Sequence, residues 1–200
     1  MAKKTTKLQA VNQIISNIGQ APVTTLETTN PQVSLAEDLL DQVSIDVQSE
    51  GWVFNTERDY PFHPDVQNGN QIVIPDNVLQ VDCPWGTDYN VVIRQGKLYD
   101  RNAHSFTWPT TQYLKVTWVF DYEDLPEAAK QYITIRAANL FAMRATGATE
   151  VAKYSEREEM NARAALLEYE CNQGDYNVFS DGADVNPLRT YRPVSALWRY

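Results

Sequence analysis

The chain has 200 residues, of which 43% are hydrophobic and 22% charged, an ordinary composition for a soluble globular protein. It carries 17 Lys and Arg against 26 Asp and Glu, giving a formal net charge of −9 and a pI of about 4.7. This charge argues against a sequence-independent DNA binder, which needs a basic surface, but it does not exclude a DNA conduit, since a lumen that passes DNA without holding it is better acidic than basic.

The cysteine count and the lengths of the apolar runs indicate in which cellular compartment the protein folds. Cys83 and Cys171 are too few and too far apart for a disulfide framework, so we expect reduced thiols in a reducing cytoplasm. The N-terminal MAKKTTKLQAVNQ has no apolar core typical of a signal peptide. No apolar run approaches the length of a membrane span, so we expect no membrane insertion.

Two helices are predicted before residue 51. The first, near 6–18, has apolar residues at i, i+3, i+4 spacing and is followed by Gly19. The second, near 31–49, begins with Asn30 as N-cap and Pro31 at N1, and Gly51 follows its end. The predicted buried stripe of the second helix is Val33, Ala36, Leu40, Val43 and Val47.

Residues 52–120 change in character, with short β-branched and aromatic runs between turn signals. The predicted strands are 52–58, 71–74, 78–82, 89–94, 97–100 and 113–120. A tight hairpin is predicted around Gln95-Gly96, and the whole region favours a small antiparallel sandwich or barrel-like sheet. We expect Gly51 to permit a sharp exit from the helix, and Trp52 and Phe54 to anchor the first strand to the core of the β region, close to the helices.

The chain then returns to helix. One helix is predicted from about Pro126 to Gly147 and a second from about Thr149 to Asn172; the short turn between them favours antiparallel packing. The predicted fold is therefore α+β: an antiparallel bundle of about four helices, formed by 1–51 and 121–174, with an inserted antiparallel β subdomain at 52–120.

The last 26 residues, 175–200, have no helical period and are interpreted as an extended C-terminal arm that lies on a neighbouring molecule; the alternative is a frayed end. From Arg189 onward the arm has no acidic residue. Its candidate contact residues are Arg189, Tyr191, Arg192, Leu197, Trp198 and Tyr200.

The residues predict no catalytic, cofactor-binding or metal site. Glu158 and Glu159 are adjacent on a helix and point about 100° apart, so they do not form an opposed acid–base pair. His63 and His104 have no partner at metal-ligand spacing. Trp85 and Trp108 lie beside prolines in turns and are the better candidates for exposed contact residues, whereas Trp52 and Trp118 are predicted to be core.

Several segments together resemble a known family. They are AVNQIISNIGQAPVTTLE (10–27), SEGWVFNTE (49–57), YDRNAHSF (99–106), DYEDLPEAAKQYI (121–133) and EYECNQGDYNVF (168–179). Their order and spacing are similar to those of the tail tubular protein A family, the head-to-tail adaptors of short-tailed, autographivirus-type phages. The resemblance covers about residues 8–180, and the part after about Val185 matches no pattern of the family.

The resemblance implies a structural, non-enzymatic protein of the virion tail, assembled in the bacterial host cytoplasm. It implies a homo-oligomeric ring of twelve subunits between the portal protein and the tail nozzle protein (tail tubular protein B), with tail fibres near that junction. DNA would pass through the lumen without specific binding. Trp85 and Trp108 would be candidate contacts to the nozzle or fibres.

Two other hypotheses stay open at this point. One is a carbohydrate-binding or depolymerising tail protein that uses the Trp-bearing β subdomain; loss of glycan binding on changing Trp85 or Trp108 to Ala would distinguish it. The other is a cytoplasmic scaffold or chaperone that uses the acidic bundle, which would not bind the portal.

Overall fold

The structure is a computed structural model, and it describes residues 4–26, 30–84, 89–146 and 149–174. Within these ranges it has four α-helices and two antiparallel sheets, which confirms the predicted α+β class. The strands all lie between the second and third helices in the chain. The extended arm predicted for 175–200 lies outside the described residues.

The helices begin and end near the predicted residues. They are α1 (Lys7–Ser16), α2 (Pro31–Gln48), α3 (Glu127–Thr146) and α4 (Thr149–Gly174). Thr6 caps α1 in a capping box with Gln9, and the Asn30 side chain caps α2 ahead of Pro31 at the first position. The predicted buried stripe of α2 is confirmed in full.

Helix α3 is the centre of the helical part, because it packs against each of the other three helices. Its contacts to α4 run antiparallel: Tyr132 bonds to Arg163, and Asn139, further along α3, bonds to Glu159, which lies earlier on α4. The first apolar cluster joins all four helices and also includes Trp52. The predicted antiparallel pairing of the last two helices is confirmed.

The strands are β1 (Thr56–Phe62), β2 (Val78–Asp82), β3 (Val91–Arg94), β4 (Lys97–Asp100) and β5 (Gln112–Trp118). One sheet has the order β1-β5-β2, and β3 pairs with β4; both sheets are antiparallel. A second apolar cluster draws on all five strands. Leu114, Val116 and Trp118 alternate along β5 and are buried, and Phe120, after the strand, is half-buried.

The β3–β4 hairpin turns at Gln95 and Gly96, which have φ values of 54° and 68°. Two consecutive residues with positive φ are the signature of a type I′ turn, whose twist matches that of the strands. The predicted hairpin is therefore confirmed.

Two predicted strands are corrected. Residues 52–55 are not part of a strand: Val53–Asn55 is a 3-10 turn, and β1 begins only at Thr56. Residues 71–74 form only isolated bridges, although Ile72 and Ile74 each share a backbone hydrogen bond with the β3–β4 hairpin. Pro75 lacks the N–H that would continue this pairing.

Candidate functional site: the junction between helices and strands

A network of buried and half-buried polar groups lies where the helices meet the strands. We call it the junction and define it by Gln48, Gly51, Trp52, Asn55, Phe120 and Glu170. These residues come from the end of α2, the turn before β1, the segment after β5, and α4. The junction thus includes both places where the chain crosses between helices and strands.

Gln48 is the last residue of α2 and is 0% exposed. Its side-chain nitrogen donates to the Phe120 carbonyl at 3.0 Å and to the Ser44 hydroxyl at 3.0 Å. Its side-chain oxygen accepts from the Phe120 N–H at 2.8 Å. A buried amide with donors and acceptors satisfied fixes one geometry, because any shift would leave a polar group unpaired.

The chain turns sharply after α2 at Gly51, whose φ is 77°. A side chain at this position would meet only the hydroxyls of Thr117 and Thr56, at 3.6 and 3.7 Å, which is ordinary contact. The positive φ, rather than lack of space, is therefore what favours glycine here. The predicted sharp exit at Gly51 is confirmed.

Trp52 follows at once and is 6% exposed. Its indole N–H donates to the Val47 carbonyl at 2.7 Å, in the last turn of α2, and the same carbonyl also accepts from the Glu50 N–H at 3.2 Å. Its ring belongs to the apolar cluster of the helices, and Phe54 packs against the same cluster. The prediction that Trp52 is a core residue is confirmed, but the prediction that Trp52 and Phe54 anchor a strand to the β core is wrong.

Asn55 explains this outcome. Its side-chain oxygen accepts from the backbone N–H of Trp52 at 2.8 Å. Its side-chain nitrogen donates to the backbone carbonyls of Gln48 and Trp118 at 2.8 and 2.9 Å. Short polar side chains compete with extended backbone by bonding to nearby main chain, and here the result is a turn. The turn points Trp52 back at the helices and ties α2 to the end of β5.

Helix α4 closes the junction from the other side through Glu170. This residue is 8% exposed, and its Oε2 accepts from the Val53 N–H at 2.7 Å. Its Oε1 has no hydrogen-bond partner in the described part of the chain. The turn before β1 is therefore bonded to α4 as well as to α2.

An ionic cluster borders the junction. The guanidinium of Arg163 on α4 holds Glu50 with two bonds of 2.8 and 3.3 Å and donates to the Tyr132 hydroxyl at 2.9 Å. The bond to Glu50, followed by that to Tyr132, raises the pKa of Arg163 above its ordinary value. Because Arg163 and Glu50 are partly exposed, we expect the pair to contribute no more than about 1 kcal/mol, and to orient α4 more than to stabilise it.

The junction offers little support for binding a small molecule or a metal ion. A cleft of about 140 Å³ beside Gly51 is lined by Glu50, Gln80, Asp82, Lys115 and Thr117. Such a polar lining lacks the apolar walls of most ligand pockets. Within the described ranges, no group of three His, Cys, Asp or Glu side chains is placed to hold a metal ion. Nor is any described helix long and apolar enough to cross a bilayer.

The predicted tryptophan contacts have two outcomes. Trp108 is 4% exposed, and its indole N–H donates to the Leu98 carbonyl at 3.1 Å. The prediction of Trp108 as an exposed contact residue is therefore wrong; the turn that carries it folds its ring into the β core. Trp85 lies outside the described residues, as do the six candidate contacts of the arm: Arg189, Tyr191, Arg192, Leu197, Trp198 and Tyr200.

Four junction residues were not predicted from the sequence: Gln48, Asn55, Phe120 and Glu170. A signal existed for Gln48, because Leu40, Ser44 and Gln48 form one i, i+4 row that enters the predicted buried stripe. Polar residues on a buried face need partners, so Ser44 and Gln48 could have been predicted to bind backbone groups. Glu170 bonds to Val53, which lies 117 residues away, so no local pattern indicates it. Asn55 bonds to the nearby Trp52 and Gln48 as well as to the distant Trp118, 63 residues away.

Comparisons with known proteins agree with each other. The family model described as tail tubular protein matches residues 8–176, a range that includes α1 from its second residue, α2, the five described strands, α3 and α4. Tail tubular protein A of Klebsiella phage KP34 is 28% identical over 169 residues, covering 84% of this chain and 88% of that protein. The resemblance drawn from five sequence segments is confirmed, and the chain belongs to the tail tubular protein family, structural proteins of the phage tail.

Proposed function

We propose that this protein is the ring-forming adaptor that joins the portal to the tail nozzle, with tail fibres attached nearby. The observation that carries the proposal is that the family match runs through helices and strands alike, and the junction fastens the two together. An adaptor between two larger rings has to transmit force without bending between its parts. A junction built on buried, fully engaged amides suits that task.

The proposed division of labour follows the two apolar clusters. Residues 1–51 and 121–174 form the body of the ring, and residues 52–120 project from it to meet the nozzle and fibres. Trp52 and Phe54 belong with the ring body, since they pack in the helical cluster. Of the two tryptophans considered for nozzle or fibre contact, Trp85 is the one we retain.

Twelve copies would close the ring by heterologous contacts, in which each subunit offers two different lateral faces. The arm, 175–200, would reach the portal or a neighbouring subunit through the candidate contacts named above. DNA would pass through the lumen during ejection, and the net charge of −9 would limit its adhesion to the wall. Assembly would take place in the bacterial host cytoplasm.

The test is the mass of the purified protein with and without the portal protein, measured by mass photometry and followed by electron microscopy. We expect a twelve-copy ring on the portal. A protein that stays monomeric and indifferent to the portal would overturn the proposal.

A further inference from the structure

Helix α4 carries an apolar line on its outer side that no described residue covers. It consists of Met160, Ala164, Leu167 and Cys171, which we call the α4 stripe. Met160 is 71% and Leu167 47% exposed, and Ala164 and Cys171 are also exposed. The spacing of 4, 3 and 4 residues places all four on one face, as in the seam of a coiled coil.

The α4 stripe differs from other exposed apolar residues of the chain. On α2, Leu35 and Ile45 are exposed but lie ten residues apart, and the positions between them on that face are polar. Single exposed aliphatic residues need no explanation, whereas a continuous line of them marks a contact surface. The α4 stripe runs for about 17 Å at 1.5 Å per residue.

Charges beside the stripe indicate what it would accept. After residue 155, the described part of this helix exposes three acidic residues, Glu156, Glu158 and Glu168, and one basic residue, Arg157, so its exposed charge is negative. Glu156 lies one turn before Met160, and Glu168 lies one turn after Ala164, so both carboxylates flank the stripe. An apolar segment with positive charge would complement this surface.

The C-terminal segment, residues 189–200, has that chemistry. Its sequence is RTYRPVSALWRY, with three Arg, no acid, and apolar side chains that include Leu197 and Trp198. The 14 residues between Gly174 and Arg189 can span up to about 46–50 Å when extended, more than enough to return along the stripe. A tether of this length gives an effective concentration on the order of millimolar, far above that of a second copy in dilute solution.

We propose that in the free subunit the C-terminal segment folds back onto the α4 stripe of its own chain. The segment then covers the apolar line while its arginines meet Glu156 and Glu168. Docking in this way would keep the free subunit from associating through the stripe, and the segment would have to leave before it could contact a partner. The inference concerns the single chain, so it stands or falls independently of ring formation.

Cys171 offers a direct readout, because it lies in the stripe itself. In a full-length chain with Cys83→Ser, Cys171 is the sole thiol, and its rate of labelling by a neutral maleimide reports its accessibility. We expect the labelling rate to rise about tenfold when Leu197, Trp198 and Tyr200 are together changed to Ser. This factor is the ratio of an effective concentration of about 1 mM to a dissociation constant for docking of about 0.1 mM. Changing Arg189, Arg192 and Arg199 to Gln should give a smaller rise that disappears at high salt.

Controls separate docking from other effects. Ile45→Ser, an exposed aliphatic change on α2, should leave the labelling rate unchanged. In strong denaturant all variants should react alike, which would show that the intrinsic reactivity of Cys171 is the same. Equal native rates for the wild-type and changed tails would overturn the proposal. Protection that grows with protein concentration would also overturn it, because the segment would then come from a second copy.

Discussion

The side chain of Gln48 forms a two-way pair of hydrogen bonds with the backbone of Phe120, 72 residues away. The nitrogen donates at 3.0 Å and the oxygen accepts at 2.8 Å. The chain leaves the helices just after Gln48 and returns to them just after Phe120. One buried side chain therefore bonds together the two places where the chain crosses between helices and strands.

Replacing Gln48 by Ala should cost about 2–4 kcal/mol of unfolding free energy. The change removes a side chain that is 0% exposed and leaves the N–H and the carbonyl of half-buried Phe120 without their partner, and each unpaired buried group costs about 1–3 kcal/mol. Urea unfolding measures the loss. Gln42→Ala on the exposed side of the same helix is the matched control and should change stability by less than about 0.5 kcal/mol. Equal effects at the two positions would contradict this account of the junction.

Trp52→Ala should destabilise the protein by about 3–5 kcal/mol, as expected for removal of a buried aromatic side chain. Because the ring packs in the helical cluster, hydrogen exchange should accelerate in α2 and α3 more than in the β3–β4 hairpin. The ring assembly proposed above should also be impaired.

The comparison variant for this position is Trp52→Phe. It keeps most of the ring but removes the bond to the Val47 carbonyl, and it should cost about 1–3 kcal/mol. If Trp52→Ala melted at an unchanged temperature and formed complete rings, the role assigned to this residue would be wrong.

Gly51→Ala should cost about 1–2 kcal/mol, chiefly because an L-residue resists a φ of 77°. Gly51→Asn should cost less, since asparagine tolerates this conformation better. The order of the two variants in thermal unfolding distinguishes backbone strain from crowding: if crowding dominated, the larger Asn side chain would be the worse substitution.

The sequence predicted the regular elements well, and the reason is periodicity. The stripe of α2 and the alternation of Leu114, Val116 and Trp118 each repeat over several turns or residue pairs, so tertiary contacts reinforce what the local pattern favours. The structure of the junction was harder to predict from the sequence. Trp52 and Phe54 have strand spacing, but the side-chain bonds of Asn55 convert the segment into a turn.

Trp108 is a second residue whose position was not predicted by its local sequence. Its neighbouring proline indicated a turn, and turns are usually exposed, so exposure was predicted. The ring is nevertheless buried, because its N–H finds the Leu98 carbonyl and its face meets Tyr89 edge-on at 5.7 Å. These partners lie 10 and 19 residues before Trp108, outside the turn that carries it, so the local turn signal does not predict the burial.

Stability should fall at alkaline pH through Tyr122. Burial raises the pKa of its hydroxyl to about 12, the bond to Thr134 acts in the opposite direction, and Glu127 and Glu123 add to the rise. In the unfolded chain the same hydroxyl has a pKa near 10.0. Its contribution is therefore complete below about pH 10 and is lost as the pH rises from about 10 to about 12, because only the unfolded form releases the proton there.

The expected loss approaches about 2–3 kcal/mol near pH 12, from about 1.4 kcal/mol for each unit of pKa difference. Urea unfolding across this range measures it. Tyr122→Phe should be less stable at neutral pH, because Thr134 loses a bonding partner at 2.8 Å, but its stability should fall less steeply above pH 10. Tyr113→Phe, at a tyrosine that is 55% exposed, should keep the steep fall of the parent chain. Parallel curves for the parent and Tyr122→Phe would show that the buried hydroxyl does not control alkaline stability.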